Sequence, residues 1–556
     1  MGKIWYPEAD LVILHGTIYT CAITVEEIWQ GKSEFPIIRD GGIAVKDGKI
    51  IAVGQADDMC AFIGEHTEKI DATNKVITPG FCESHMHASF FGAGLVDLDL
   101  GAVTSRAEMF PKIKAFCEPI PDGKWALGNS WNNNVWTDSQ EMLTCRELDE
   151  VAPNNPLFLM SNTYHTACCN SAALKIAGIT RDTPDPAGGS IGHYPDGEPN
   201  GILYENSGMN LVQAVIPAKT DDDRVYALEL AGKEMARFGI TSAIDANLSL
   251  DQLRAYKVAL DSGKLYYRAN PMYYLDSAMG DKDFHMRRLE ELTTITGYGN
   301  EMLKFNAIKV TLDGVPATYT SLMRKPYRTR PDFYGTTIWT QEEITEFVCK
   351  ANELGWQFGI HAIGDGTEDM ALAAFAESDR RKPAKHLRNY LIHYVIPHED
   401  QWPIMRELGI AATQQPTIAC TMGELKMQCF QPEDERRNQG SGLLWKNGIL
   451  CGGSSDCPVV TCDPLTGMYH AVKRIDETCG ELLGEECKVT PQQALIMWTK
   501  AGTWFSFDED KMGSVEVGNF ADLVIINHEF LSGDPEEIKS AKVEMTLLGG
   551  KPTFRA

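Results

Sequence analysis

Between residues 76 and 456 the sequence holds eight short apolar runs, rich in β-branched and aromatic residues. They fall at 76–87, 240–245, 266–274, 305–313, 356–361, 389–393, 409–414 and 449–456. Stretches of helical patterning such as 224–238 and 341–354 lie between them. Strands that alternate with helices make parallel sheets, and eight units predict a closed (β/α)8 TIM barrel of the α/β class. A ninth run, 157–162, belongs to a Pro-, Gly-, Asn- and Asp-rich stretch of about 101–218. That stretch reads as a long lid insertion after strand 1.

Both ends of the chain carry further β patterns. Residues 10–54 alternate apolar runs with turns, including the Asp47-Gly48 hairpin signal. Near the other end, A-D-L-V-I-I at 521–526 repeats A-D-L-V-I-L at 9–14, and 543–551 adds a strand and turn. The two ends are expected to complete one small β-sandwich domain, 1–78 plus 512–556, leaving 79–511 as the barrel.

Charge and composition narrow the partners. A formal charge of −26 over 556 residues disfavours nucleic acid and anionic membranes, which are themselves negative. No run nears the ~18 apolar residues of a membrane span, and no basic-then-apolar leader opens the sequence. Fifteen cysteines, an odd number without regular spacing, fit reduced thiols. Cys168-Cys169 and the Cys457/Cys462 pair read as ordinary packing. No G-x-G-x-x-G or phosphate-loop string is present. The expectation is a cytoplasmic protein acting on a small molecule.

The predicted strands end in one kind of residue. The first closes on His85 and His87, whose spacing of two puts both imidazoles on one face about 6.6 Å apart. Lys309 lies near the end of the fourth, His361 ends the fifth, His393 the sixth and Asp456 the eighth. Barrel strands deliver their C-terminal ends to one mouth, so these groups are expected to converge. Four imidazoles and a carboxylate suit a borderline divalent cation, zinc above all. Lys309 has two readings. It pairs with Asp313 on the same strand face, or carbon dioxide adds to its amine to make an anionic carbamate able to bridge metals.

The order H-x-H, Lys, His, His, Asp along a barrel resembles the amidohydrolase superfamily. V-I-T-P-G-F-C-E-S-H-M-H, I-K-V-T-L-D-G, H-A-I-G-D-G and G-G-S-S-D-C-P-V narrow the likeness. So do N-S-A-A-L-K-I-A-G-I-T, D-T-P-D-P-A-G-G and D-G-E-P-N-G-I-L-Y-E in the insertion. Together they look like the amidohydrolase 3 branch, with its YtcJ-like proteins and N-substituted formamide deformylases. The resemblance implies that His85 and His87 bind a first metal, that carboxylated Lys309 bridges two, and that His361 and His393 bind a second. It implies that Asp456 touches the first metal and carries the proton of the attacking water. One ion or two, and a homodimer, are both within the family's range.

The expected reaction is hydrolysis of an amide-type C–N bond, N-acyl, N-formyl or cyclic, by metal-activated water with Asp456 as general base and acid. Deamination, decarboxylation or isomerisation at the same centre is the alternative, followed by a non-catalytic binding protein on this fold. Further positions carry two readings each. Asp365 orients a ligand or caps a helix. His165, where branch members carry a histidine, reaches substrate or makes a structural hydrogen bond. Trp131 and Trp136 wall an aromatic pocket or pack the insertion. Glu205 and Tyr319 are weaker candidates for substrate contact.

Overall fold

A computed structural model describes residues 7–161, 166–186, 189–275, 277–316, 319–421 and 429–556, with only the backbone described at Asn206. The chain divides into two compact units, Met1–Ser89 with Ala231–Ala556, and Phe90–Leu230.

The first unit contains the barrel. Its strands are β1 (Phe81–Met86), β2 (Ile240–Leu248), β3 (Arg268–Leu275), β4 (Ala307–Thr311), β5 (Gln357–Ala362), β6 (Tyr390–His393), β7 (Ala411–Gln414) and β8 (Cys451–Gly453). Each pairs in parallel with the next, so sheet order follows chain order. Local chemistry punctuates the alternation. Before β5, Thr340 and Glu343 form a capping box on the helix Gln341–Leu354, which Gly355 ends at φ 84°.

Contacts other than a regular ladder close the ring between β8 and β1. Ser84 Oγ donates to the Gly453 carbonyl at 2.8 Å, and Ser455 N–H to Glu83 Oε1 at 2.7 Å. Beyond the strand ends, Asp456 N–H donates to His85 O at 3.1 Å and His87 N–H to Cys457 O at 2.8 Å. The seam is tight enough to require glycine. A Cβ on Gly452 would lie 2.7 Å from Ser84 Oγ, and one on Gly453 would lie 2.3 Å from the Trp498 ring.

Both chain ends feed one eight-stranded sheet in the same unit. Val76–Pro79 lies between Leu11–Tyr19, to which it is parallel, and Leu523–Ile526, to which it is antiparallel. Gly80 then passes the chain directly into β1, and a Cβ there would meet Thr241 Oγ1 at 2.1 Å. A buried ion pair ties this sheet to the barrel. Arg268 of β3 donates to both carboxylate oxygens of Asp522, at 2.6 and 3.0 Å, and stacks on Phe520 at 3.8 Å.

The second unit is built on its own six-stranded sheet, ordered Ser190–His193, Pro199–Tyr204, Thr166–Cys169, Leu157–Ser161, Ala126–Trp131 and Leu98–Asp99. The ninth apolar run is thus a strand of this sheet. Alternation sends Leu157 and Leu159 to one core and Phe158 to the other, and likewise separates Cys168 from Cys169. The unit extends beyond the expected 101–218 at both ends. Helical pattern at its edges continues without a break in composition, so the boundary leaves no mark in sequence.

Removing one partner of a buried, hydrogen-bonded ion pair strands the other charge, at a cost of about 3–5 kcal/mol. Arg268→Met should therefore lower the stability of the first unit by that order, read from its denaturant unfolding transition. A loss under about 1 kcal/mol would show that the pair does not hold sheet and barrel together.

Candidate metal centre

The C-terminal ends of the barrel strands bring five of the predicted ligands into one buried cluster. His85 Nε2 lies 3.3 Å and His87 Nε2 3.2 Å from Asp456 Oδ1. The His85 ring stands nearly perpendicular to those of His87 and His393, with centroids 5.4 and 5.3 Å away. His393 Nε2 meets His361 Nδ1 at 3.0 Å. One ligand atom from each of His85, His393 and Asp456 lies within 4.8 Å of the other two. Lys309, on β4, is 1% exposed, and its charge acts on His85, His361 and His393.

The backbone turns left-handed where these side chains must be aimed. His393 has φ 80°, Tyr394 φ 43° and Asp456 φ 60°, a region that non-glycine residues occupy at a cost of about 1–3 kcal/mol each.

Burial and charge set the protonation states. Desolvation and the Lys309 charge hold His85 well below its ordinary range. Burial likewise lowers His361 well below it and brings His393 down to about 4. Burial alone would raise Asp456, but the flanking His85 and His87 overcome this and hold it well below the usual carboxylate range. Burial brings Lys309 down to about 7. Neutral imidazoles beside an ionised carboxylate are the forms that ligate metal.

The cluster also fits a cation by what it leaves unsatisfied. His85 Nδ1 and Nε2, His361 Nε2 and Asp456 Oδ1 are buried with no hydrogen-bond partner among the described residues. A buried polar atom left unpaired costs about 1–3 kcal/mol, so this group points to a missing partner for the lone pairs of His85, His361 and Asp456.

Around the cluster lie groups that no sequence motif announces. Asp245 on β2 accepts from Ser89 N and Oγ at 3.0 and 2.6 Å and from Tyr256 at 2.5 Å, and Tyr256 bonds Tyr267 at 2.7 Å. The His87 Nδ1 atom lies 3.3 Å from the adjacent Ala246 carbonyl, which can only accept. Glu83, one alternation before His85, is fully buried, and desolvation raises it well above the carboxylate range. His393 Nδ1 contacts Gln415 Oε1 at 2.9 Å. The run 240–245 does end in an acid, the one available signal for Asp245; Gln415 follows the seventh run without any motif.

Asp313 stays beside the cluster, its Oδ1 3.6 Å from His361 Nε2, while the other outlying candidates fall elsewhere. Asp313 does not serve Lys309 as a salt-bridge partner. Its carboxylate accepts from Ile363 N, Gly364 N and Thr367 Oγ1, at 3.1, 2.8 and 2.5 Å, and so ties the turn after His361. Asp365 accepts from Arg324 N at 2.7 Å and bonds His398 at 2.9 Å, which makes it a loop anchor rather than a helix cap. Trp131 is packing: its ring is 1% exposed in a core of the second unit with Trp136, and its indole N–H donates to Leu159 O at 3.0 Å. Glu205 heads the helix Glu205–Gln213 with an exposed side chain at φ 58°. Tyr319 is held by Thr329 at 3.0 Å and lies under the Arg330 guanidinium at 3.9 Å. His165 lies outside the described residues. A cavity of about 1030 Å³ is lined by Arg388, Gly409 and Gly448, which precede β6, β7 and β8. It therefore opens at the barrel's N-terminal end, away from these ligands, and the chemistry of the cluster identifies the site better than cavity size does.

Residues 68–554 match the model of the amidohydrolase family. YtcJ of Bacillus subtilis (strain 168) is 27% identical over 95% of this chain and 99% of its own. The N-substituted formamide deformylase of Arthrobacter pascens is 27% identical over 91% and 94%. The Arabidopsis thaliana protein LONG AFTER FAR-RED 3 is 29% identical over 98% and 92%. The crystal structure of an uncharacterized metal-dependent hydrolase from Pyrococcus furiosus superposes with a TM-score of 0.72 at 22% identity, over 94% of this chain and 99% of that one, and shares the fold. With the barrel, its converging strand ends and a match across nearly its whole length, the chain belongs to the amidohydrolase family.

Proposed function

We propose that this protein is a metal-dependent hydrolase that cleaves an amide-type carbon–nitrogen bond in a small molecule. The observation that carries the reading is the buried set of ligand atoms on His85, His393 and Asp456, within 4.8 Å of one another. Family membership supports the reaction class, and the name of the Arthrobacter relative supports an N-formyl substrate.

His85, His87 and Asp456 would hold one divalent cation, and His361 and His393 a second. Donors this rich in imidazole suit zinc. Lys309 would join them as a carbamate. Its amine is brought down to about 7 by burial, so the neutral form that adds carbon dioxide is populated at neutral pH. That addition to the neutral amine forms an N–C bond, releases one proton and leaves an anionic oxygen donor.

A divalent cation bound here supplies Lewis acidity, lowering the pKa of water from ~15.7 towards ~7 and stabilising charge on a carbonyl oxygen. Asp456, ionised in this setting, takes the proton of the attacking water as the new C–O bond forms. It then gives that proton to the departing nitrogen, which leaves as a neutral amine when the C–N bond breaks. His85, His361 and His393 stay neutral at pH 7 and do not compete for it.

Two outcomes follow. On whichever of N-formyl, N-acyl or cyclic amide substrates the zinc-loaded protein hydrolyses, Asp456→Asn should retain zinc and lower kcat by about 10²–10⁴-fold. A near-normal kcat would remove Asp456 from the mechanism, and no hydrolysis of any of the three classes would overturn the C–N reading. In ¹³C-bicarbonate, NMR should show one protected carbamate resonance that Lys309→Met abolishes. Its absence from the metal-loaded protein would leave Lys309 an ordinary amine.

A further inference from the structure

The hydrogen bonds behind His393 form a chain whose direction can be read from both ends. At one end the backbone N–H of Gln415, which can only donate, points to Gln439 Oε1 at 3.0 Å. The other end of that amide, Gln439 Nε2, donates to Gln415 Oε1 at 3.1 Å. On the far side, the Gln414 carbonyl, which can only accept, takes the Ser454 hydroxyl proton at 3.0 Å. The Ser454 oxygen must then accept from Gln415, and it does so from Nε2 at 2.8 Å. Two backbone groups with no choice of role thus assign the Gln415 amide independently and agree. Its Oε1 faces His393 Nδ1 at 2.9 Å, so that nitrogen must carry the proton.

The chain is sealed from water and held in place. Gln415 is 0% exposed, Ser454 1% and Gln439 2%, and Gln439 N–H is fastened to Val395 O at 2.9 Å. Gln414 completes the shell, donating to Tyr394 O at 2.9 Å and accepting from Ser441 at 2.8 Å. In such a setting a reversed Gln415 amide would oppose donor to donor at Gln439 and acceptor to acceptor at Ser454, with no solvent to relieve it.

We propose that Gln439 and Gln415 form a tautomer relay that fixes His393 as Nδ1–H and turns its Nε2 lone pair into the cluster, with Gln415 as a positioning residue. The inference rests on the metal-hydrolase reading for its purpose but not for its geometry, since the tautomer is set without any metal. An imidazole held in the other tautomer would present N–H to the cluster and could not ligate. Groups that orient a ligating histidine in this way are commonly worth 10–100-fold in metal affinity.

The test uses the full-length protein labelled with ¹⁵N-histidine, made metal-free at neutral pH, with the His393 signals assigned through His393→Asn. Long-range ¹H–¹⁵N correlations should show a protonated Nδ1 and an unprotonated Nε2. The opposite tautomer, or a mixture of the two, overturns the relay. Gln415→Glu keeps an acceptor towards Nδ1 and should keep the tautomer; Gln415→Leu removes it and should release the tautomer and weaken zinc binding by 10–100-fold in competition with a chromogenic chelator. Wild-type affinity in Gln415→Leu, with an unchanged tautomer, also overturns it. Failure of wild type to bind zinc with the Nδ1–H tautomer present would instead count against the hydrolase reading and leave the relay standing.

Discussion

The site depends on how the barrel closes. Seven strand-to-strand joints are parallel ladders, but the eighth is made by Ser84, Glu83 and the backbone around Asp456. Because Asp456 N–H is bonded to His85 O, and His87 N–H to Cys457 O, the carboxylate is delivered against both imidazoles of the first strand. Gly452 and Gly453 permit the approach by carrying no Cβ. The closure that completes the fold therefore assembles half of the ligand cluster in the same step.

Burial then does electrostatic work. Ionisable groups removed from water resist the charged form, which leaves His85, His361 and His393 neutral and brings the Lys309 amine to about 7. Asp456 alone goes the other way, because two imidazoles face it. A protein without a bound ion would gain little from placing so many lone pairs together out of solvent. Lone pairs of His85, His361 and Asp456 stay unpaired, while Gln415 and Asp313 behind them are hydrogen-bonded at both ends of the amide or carboxylate.

Much of this was legible in the chain. A polar residue at the end of an apolar run is conspicuous, and the barrel rule says where eight such ends go, so His85, His87, Lys309, His361, His393 and Asp456 could be gathered before any coordinates. The supporting groups could not. Gln439 reaches Gln415 across 24 residues, and Glu83 reaches the Ser455 amide across 372. Neither pairing leaves a periodicity or a motif. Trp131 was illegible for a related reason: it and a pocket-lining tryptophan look alike in sequence, and only the register shift between Gly128 and Trp131, with Ser130 at φ 68°, turns this ring into a core of the second unit. Asp313 shares a strand face with Lys309 by parity, yet the turn after His361 offers it three donors and takes it.

The central claim is that these buried lone pairs belong to a metal. Anomalous diffraction from zinc-grown crystals, recorded on both sides of the zinc edge, tests it most directly. The account predicts a peak within about 2.0–2.3 Å of His85, His87 and Asp456 ligand atoms. A map from well-ordered crystals with no anomalous density among these side chains would contradict it.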